Sequence, residues 1–261
     1  MDLSGKIALI TGGSKGMGLS IAARFVADGA SVMICSNDEA SIIPALKKIN
    51  APSRAAASVA DVTVLKDMQR LVAETCQRFG GLDILVNSAG IQTYGNVVDT
   101  PENVWDQVFA VNVKGIFLAA KFAIPEMEKR HGGSIINLAS AQAYASQSNV
   151  AAYTATKGAI LSLTRAMALD HADVGVRVNA ICPAAIDTPM LRHSADLFKG
   201  ENSVEQTLDL WGQAHPAGRV GTVEEIAAIA AFLASDECLF MTGADIKVDG
   251  GLLAKLGLVL P

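Results

Sequence analysis

The sequence predicts an α/β fold: a single domain over residues 1–261, built on an open, doubly wound parallel sheet of about seven strands with helices on both faces. Three observations carry this expectation. Short apolar runs alternate along the whole chain with longer patterns of helical period. The runs are hydrophobic almost without a break, as strands buried on both faces are. A glycine-rich turn joins the first run to the first helical pattern.

In chain order, strands are expected from Ile7 to Ile10, Ser31 to Cys35, Ala56 to Ala60, Asp83 to Val86, Ser134 to Leu138, Val176 to Ile181 and Ala244 to Val248. Helices are expected from Met17 to Asp28, Ile42 to Ile49, Val64 to Phe79, Glu102 to Met127, Ala151 to Asp170 and Val223 to Ala234. One segment breaks the rhythm. Residues 186–217 are rich in Asp, His, Gly, Ser and Pro and carry only weak helical signals, which is the composition of a substrate lid.

Composition narrows the function classes. A net charge of -5 and a pI near 5.4 argue against nucleic acid or an anionic membrane as partner. The longer apolar windows are interrupted by Lys114, Lys121 or Glu224, so no bilayer span is expected. The N-terminus MDLSGKIALITGG lacks the pattern of a secretory signal, and a cytoplasmic location is expected. Cys35, Cys76, Cys182 and Cys238 have no ligand spacing and read as reduced, buried thiols. His193 and His215 show no metal-ligand spacing either, and no metal is expected.

The turn Thr11-Gly12-Gly13-Ser14-Lys15-Gly16-Met17-Gly18 sits where a Rossmann-like sheet binds a dinucleotide. Gly12, Gly16 and Gly18 allow a tight turn, close approach to a pyrophosphate and close helix packing, and the following helix N-terminus favours negative charge. Further along, SAQAYASQSNVAAYTATK carries Ser140, Tyr153 and Lys157. Residues four apart share a helix face, so Lys157 stands beside Tyr153. A phenol has a pKa of about 10, and acid/base work near neutrality needs a shift of roughly 3 units, about 4 kcal/mol. A cation about 4 Å away at an effective dielectric of ~20 supplies that much. Ser140 is then expected to hold a carbonyl oxygen while Tyr153 gives or takes the proton.

Together these motifs resemble the short-chain dehydrogenase/reductase family, main 250-residue type, along nearly the whole chain. Thr11 to Gly18 matches its Thr-Gly-x-x-x-Gly-x-Gly loop. Asn87-Ser88-Ala89-Gly90 matches its Asn-Asn-Ala-Gly, with Ser88 in place of the second asparagine, and Asn112, Ser140, Tyr153 and Lys157 match its catalytic set. The resemblance implies Asp61 and Val62 at the adenine, Asn87, Ala89 and Gly90 bracing the cofactor side of the sheet, Lys157 on the nicotinamide ribose, and Asn112 keeping a water in a proton path. It also places Pro183, Ile186 and Thr188 at the nicotinamide carboxamide, although Ala184 stands where the family usually has glycine. The implied activity is reversible hydride transfer between a nicotinamide cofactor and a secondary alcohol or ketone, by a homotetramer built from the helices after Pro101 and Ala151 and from the seventh strand.

Cofactor choice turns on the end of the second strand, where an acidic side chain selects NAD. Here Ser36 is neutral, Asn37 follows it, and Lys15 brings a cation near the adenine ribose with Ser14 and Met17 beside it, so NADP(H) is expected over NAD(H). Asp38 and Glu39 follow at once, and a strand two residues longer reverses that expectation. Around the pocket, Gln92, Tyr94, Gln142, Gln147 and Asn149 lie with the lid residues Met190, Leu191, His193 and Trp211, and such a set of amides favours a polar substrate such as a polyol, sugar or diol. Two alternatives stand beside this reading. One is a 3-oxoacyl-[acyl-carrier-protein] reductase meeting its acidic carrier at Lys129 and Arg130; the other is a dinucleotide-binding sensor without turnover. The apolar tail from Leu252 to Pro261 is expected to pack on the core or on a neighbouring subunit.

Overall fold

In a computed structural model, which describes residues 1–256, seven strands form one parallel sheet: β1 (Ile7–Thr11), β2 (Ser31–Ser36), β3 (Ala55–Val59), β4 (Ile84–Asn87), β5 (Gly133–Leu138), β6 (Val176–Pro183) and β7 (Asp245–Val248). Their order in space is β3-β2-β1-β4-β5-β6-β7, and every pairing is parallel. The helices are α1 (Gly16–Ala27), α2 (Glu39–Ile49), α3 (Leu65–Phe79), α4 (Glu102–Phe109), α5 (Gly115–Glu128), α6 (Ala151–Asp170), α7 (Pro189–Phe198), α8 (Val204–Gln213) and α9 (Val223–Ala234).

All residues of β1, β4 and β6 are buried, and their alternating side chains feed two cores. Leu9, Leu85, Ile135 and Val178 pack with residues of α3, α5 and α6, while Ile10, Val86, Ile136 and Ile181 pack with α1, α2 and α9. Burial on both faces is the reason these strands read as unbroken apolar runs rather than as alternations. Strand order reverses between β1 and β4. The crevice at the carboxyl ends of the strands, where open α/β sheets bind ligands, is lined by Thr11, Asn87, Leu138 and Pro183.

Two segments differ from the sequence expectation. The single helix expected from Glu102 to Met127 is interrupted by a π-helical turn, Ala110–Lys114, that carries Asn112. Its chemistry shows no breaker, because a widened turn keeps helical dihedrals and is selected by what packs around it. By length and composition the whole 27-residue stretch is apolar enough to cross a bilayer; half of its apolar window is buried inside this protein instead. The segment read as weakly helical holds two helices, α7 and α8. Thr188 caps α7, and a capping box between Ser203 and Gln206 opens α8. That Ser-x-x-Gln spacing was a usable signal in the sequence. The apolar tail from residue 257 onward lies outside the described residues; Leu252–Ala254 form a short 3-10 turn.

Candidate active site

β5 ends at Leu138, and Ser140 follows as the cap of a 3-10 turn, Ala141–Ala143. Its Oγ accepts from the Gln142 N–H at 3.1 Å and donates to the Pro183 carbonyl at 3.5 Å, which fixes the hydroxyl between β5 and β6. Tyr153 and Lys157 lie one turn apart on α6, both more than nine-tenths buried. The Lys157 ammonium stands 5.2 Å from the centre of the Tyr153 ring and donates to the Leu138 carbonyl at 2.9 Å.

Electrostatics here correct the sequence expectation. Burial pushes the Tyr153 phenol up to about 12; the facing Ser140 hydroxyl pulls the other way, and Tyr94 adds to the rise. Burial likewise brings Lys157 down to about 8. Counting charges along a helix face puts a cation beside the phenol, but it leaves out that the same packing strips water from both groups and favours their neutral forms. Within the protein itself Tyr153 is therefore a protonated phenol at neutral pH.

The β1–α1 turn is pinned to the segment after β4, because the Ser88 and Ala89 N–H groups donate to Thr11 Oγ1 at 3.2 and 3.3 Å. Gly12 adopts φ +62° with the Ala89 backbone 2.8 Å from where a Cβ would stand, and a Cβ on Gly18 would strike the Gly12 carbonyl. Side chains are excluded here to let three backbone segments meet. The cap position of α1, Lys15, gives it no side-chain hydrogen bond, and its first turn has no acidic residue. The cradle and the unclaimed N–H groups of that first turn, among them Met17, fit a pyrophosphate. Thr188 comes to the same place, its methyl 3.5 Å from the Cβ position of Gly16.

Asn87 donates to Asn137 at 2.9 Å, and Asn137 donates to Thr164 on α6 at 2.9 Å. Sequence reasoning missed Asn137; the signal was a lone amide in the run Ile-Ile-Asn-Leu, in register with Asn87 across β4 and β5. Asn112 spends both amide protons, on the Ile91 carbonyl and Thr156 Oγ1, and accepts from the Ile91 N–H. Its amide is thus a strut joining the π-helical turn, the loop after β4 and α6, with its Oδ1 3.4 Å from where a Cβ on Gly90 would stand. Asp61 accepts from the Thr63 N–H and hydroxyl, so it shapes the turn ahead of α3 rather than capping that helix, which Val64 opens. Val62 packs where Gly115 lets α5 approach.

The chain matches the family model described as "Enoyl-(Acyl carrier protein) reductase" over residues 12–253. It is 35% identical to meso-2,3-butanediol dehydrogenase of Serratia marcescens over 98% of both chains. It is 39% identical to L-fucose dehydrogenase of Mus musculus, over 97% of this chain and 90% of that one. The ligand-free aldohexose dehydrogenase of Thermoplasma acidophilum superposes with a TM-score of 0.90 at 36% identity, covering 98% of this chain and 97% of that one.

The chain belongs to the short-chain dehydrogenase/reductase family.

As a short-chain dehydrogenase/reductase, it is a nicotinamide-dependent oxidoreductase acting on CH–OH groups. Several features around that chemistry differ from expectation. Lys15 does not stand free: its ammonium pairs with Asp38 at 2.8 Å and holds that carboxyl below its usual range. β2 stops at Ser36, whose hydroxyl accepts from the Asp38 N–H, while Asn37 is exposed. Ser14 receives a hydrogen bond from Ser41, a buried serine that the sequence reading passed over. Ala184 needs no positive φ, so its methyl does not strain the turn after β6. Ile186 forms an isolated bridge to Gly221, and Thr188 Oγ1 accepts from the Leu191 N–H.

The proposed substrate amides are not buried and unpaired, which removes the argument that they must find substrate partners. Gln142 donates to Gln147 and accepts from Thr154, because neighbouring exposed amides satisfy one another. Asn149 sits at φ 60°, its carbonyl accepting from the Gly95 N–H, so its place is owed to tolerance of left-handed backbone. Gln92 is half-buried in the loop after β4, and Trp211, half-buried on α8, gives its carbonyl to His215. Tyr94 donates to Ser194 and packs edge-on against Phe198, tying the loop after β4 to α7. Lys129 pairs with Glu126 and Arg130 with Asp83. Both cations lie before β5, at the amino end of the sheet, whereas Ser140 follows its carboxyl end.

Proposed function

We propose that this enzyme interconverts a small, polar secondary alcohol, a diol or sugar, with its ketone or lactone, using NADP(H) in preference to NAD(H), as a homotetramer. The observation that carries the chemistry is Tyr153: a buried phenol that keeps its proton, facing the Ser140 hydroxyl, with Lys157 behind it. The nicotinamide supplies or accepts the hydride when bound. Ser140 and Tyr153 hold the substrate oxygen, and Tyr153 passes it a proton in reduction or removes one in oxidation. The buried site keeps water from the reacting carbon, and Lys157, held on the Leu138 carbonyl one turn along α6 from Tyr153, is the nearby acid that resupplies the Tyr153 proton in reduction. The relatives acting on a butanediol and on sugars support the polar substrate. Trp105, Phe117 and Leu169 are large exposed apolar groups on α4, α5 and α6, which supports assembly through those helices; a monomeric mass in solution overturns it.

NADP(H) is favoured because no carboxylate stands at Ser36 to repel a 2′-phosphate. The Lys15–Asp38 pair is exposed and screened by solvent, so Lys15 exchanges Asp38 for a phosphate at little cost. Kinetics with both cofactors test this. Asp38→Asn is expected to raise the NADP over NAD ratio of kcat/KM, and Lys15→Ala to lower it by about tenfold. A parent enzyme that prefers NAD overturns the reading.

A pH profile tests the proton carrier. The Tyr153 pKa is raised, so the proton-bearing form persists through neutrality and the base form grows with pH. Ketone reduction is expected to be flat across neutral pH and to fall only on the alkaline side. Alcohol oxidation is expected to rise by about tenfold per pH unit from the neutral side. Profiles of log kcat/KM in both directions check the signs.

A further inference from the structure

His215 follows α8 where the chain turns back toward the core. Its backbone is held from several sides: its main-chain N–H donates to the Gly212 carbonyl at 3.0 Å, its carbonyl accepts from the Gly218 N–H at 2.8 Å, and the Ala217 N–H donates to the Gly250 carbonyl at 3.0 Å. Nδ1 lies 3.0 Å from the Trp211 carbonyl. A carbonyl only accepts, so Nδ1 carries the proton and Nε2 is a bare acceptor. Nε2 is fully buried and has no hydrogen-bond partner, and it is the one such side-chain atom among the described residues.

The residue borders a cavity of about 70 Å³ that is also lined by Ala184, Ala185, Ile186, Arg219, Glu225 and Asp249. The polar side chains of this wall are engaged elsewhere. Arg219 is forked onto Glu225, Glu225 also accepts from the Thr222 N–H, and Asp249 accepts from the Gly251 and Leu253 N–H groups. None of them turns to Nε2. What remains is a small mobile donor, and the cavity has room for roughly two waters.

We propose that His215 Nε2 anchors a buried water site, and that this water joins the end of the lid to Ala184–Ile186, making His215 a positioning residue for that segment. The water donates one proton to Nε2 and keeps its other proton for an oxygen of the wall and its lone pairs for N–H donors. Gly221 completes the frame, its N–H on the Ala185 carbonyl at 2.8 Å and its carbonyl accepting from the Asp187 N–H at 2.9 Å. The consequence for catalysis rests on the proposed placing of Pro183, Ile186 and Thr188 at the nicotinamide.

A crystal structure with bound dinucleotide is expected to show a water about 3 Å from Nε2. An empty cavity, or a protein donor on Nε2, overturns the proposal. His215→Asn keeps an amide donor near the Nδ1 position and lacks Nε2, whereas His215→Gln restores a polar group near Nε2. The Asn variant is expected to raise the KM for the dinucleotide about fivefold, by more than kcat falls, and the Gln variant to recover most of it. A histidine that serves only packing lowers the Tm of both variants without separating their KM values, and that result also overturns the proposal. If the parent oxidises no alcohol, the proposed function fails by itself. The water at Nε2 and the dinucleotide dissociation constants of the two variants still decide the role of His215.

Discussion

Tyr153→Phe is expected to lower kcat in both directions by about 10³-fold while leaving the dissociation constant of the dinucleotide within about twofold of the parent. The ring of Tyr153 is buried on α6 and is retained in phenylalanine, so packing against Lys157 and the sheet persists. What is lost is a single oxygen, the group proposed to carry the proton. Steady-state rates together with a fluorescence titration of the dinucleotide measure the two quantities separately. A fall in kcat of less than about tenfold removes Tyr153 from the proton transfer.

Lys157→Met is expected to abolish turnover and yet make the protein harder to unfold. Burial takes the ammonium from 10.5 to about 8, which at 1.36 kcal/mol per unit is a cost of about 3 kcal/mol at neutral pH. Removing it leaves the Leu138 carbonyl without its donor, a loss of about 1 kcal/mol. The net gain is about 2 kcal/mol, or roughly 4–8 °C in Tm for a chain of this size. The sign follows from the lowered native pKa. The unfolded chain binds the proton more tightly than the folded one, so the cost is fully present below pH 8 and disappears as pH rises toward 10.5. The Tm advantage of the variant should shrink in step, and calorimetry from pH 6 to 10 tests this. A Tm below that of the parent at neutral pH refutes the cost assigned to burial. A site that works with a buried cation gives up stability for activity.

Most of the sheet was legible because its strands are covered on both faces. Unbroken apolar runs such as Ile7 to Ile10 and Val176 to Ile181 leave little alternative to a parallel sheet under helices. The lid was less legible: α7 and α8 are short, and their caps at Thr188 and Ser203 carry more of the signal than their periodicity. The π-helical turn at Asn112 was not legible at all, since the contacts that open it, Ile91 and Thr156, come from distant parts of the chain.

Local chemistry alone was therefore enough to nominate the residues of the candidate site. Glycines that must admit backbone, and a serine, a tyrosine and a lysine at helical and strand-end positions, can be read from their order along the chain. Three-dimensional packing decided what state those groups are in. Whether Lys157 is charged, whether Lys15 is free or bound to Asp38, and whether Gln142 looks to substrate or to Gln147 depend on desolvation and on partners brought in from elsewhere in the fold. Spacing along a sequence reports which groups are neighbours on one element. It does not report how much water they lose, and in a buried site that loss outweighs a single neighbouring charge.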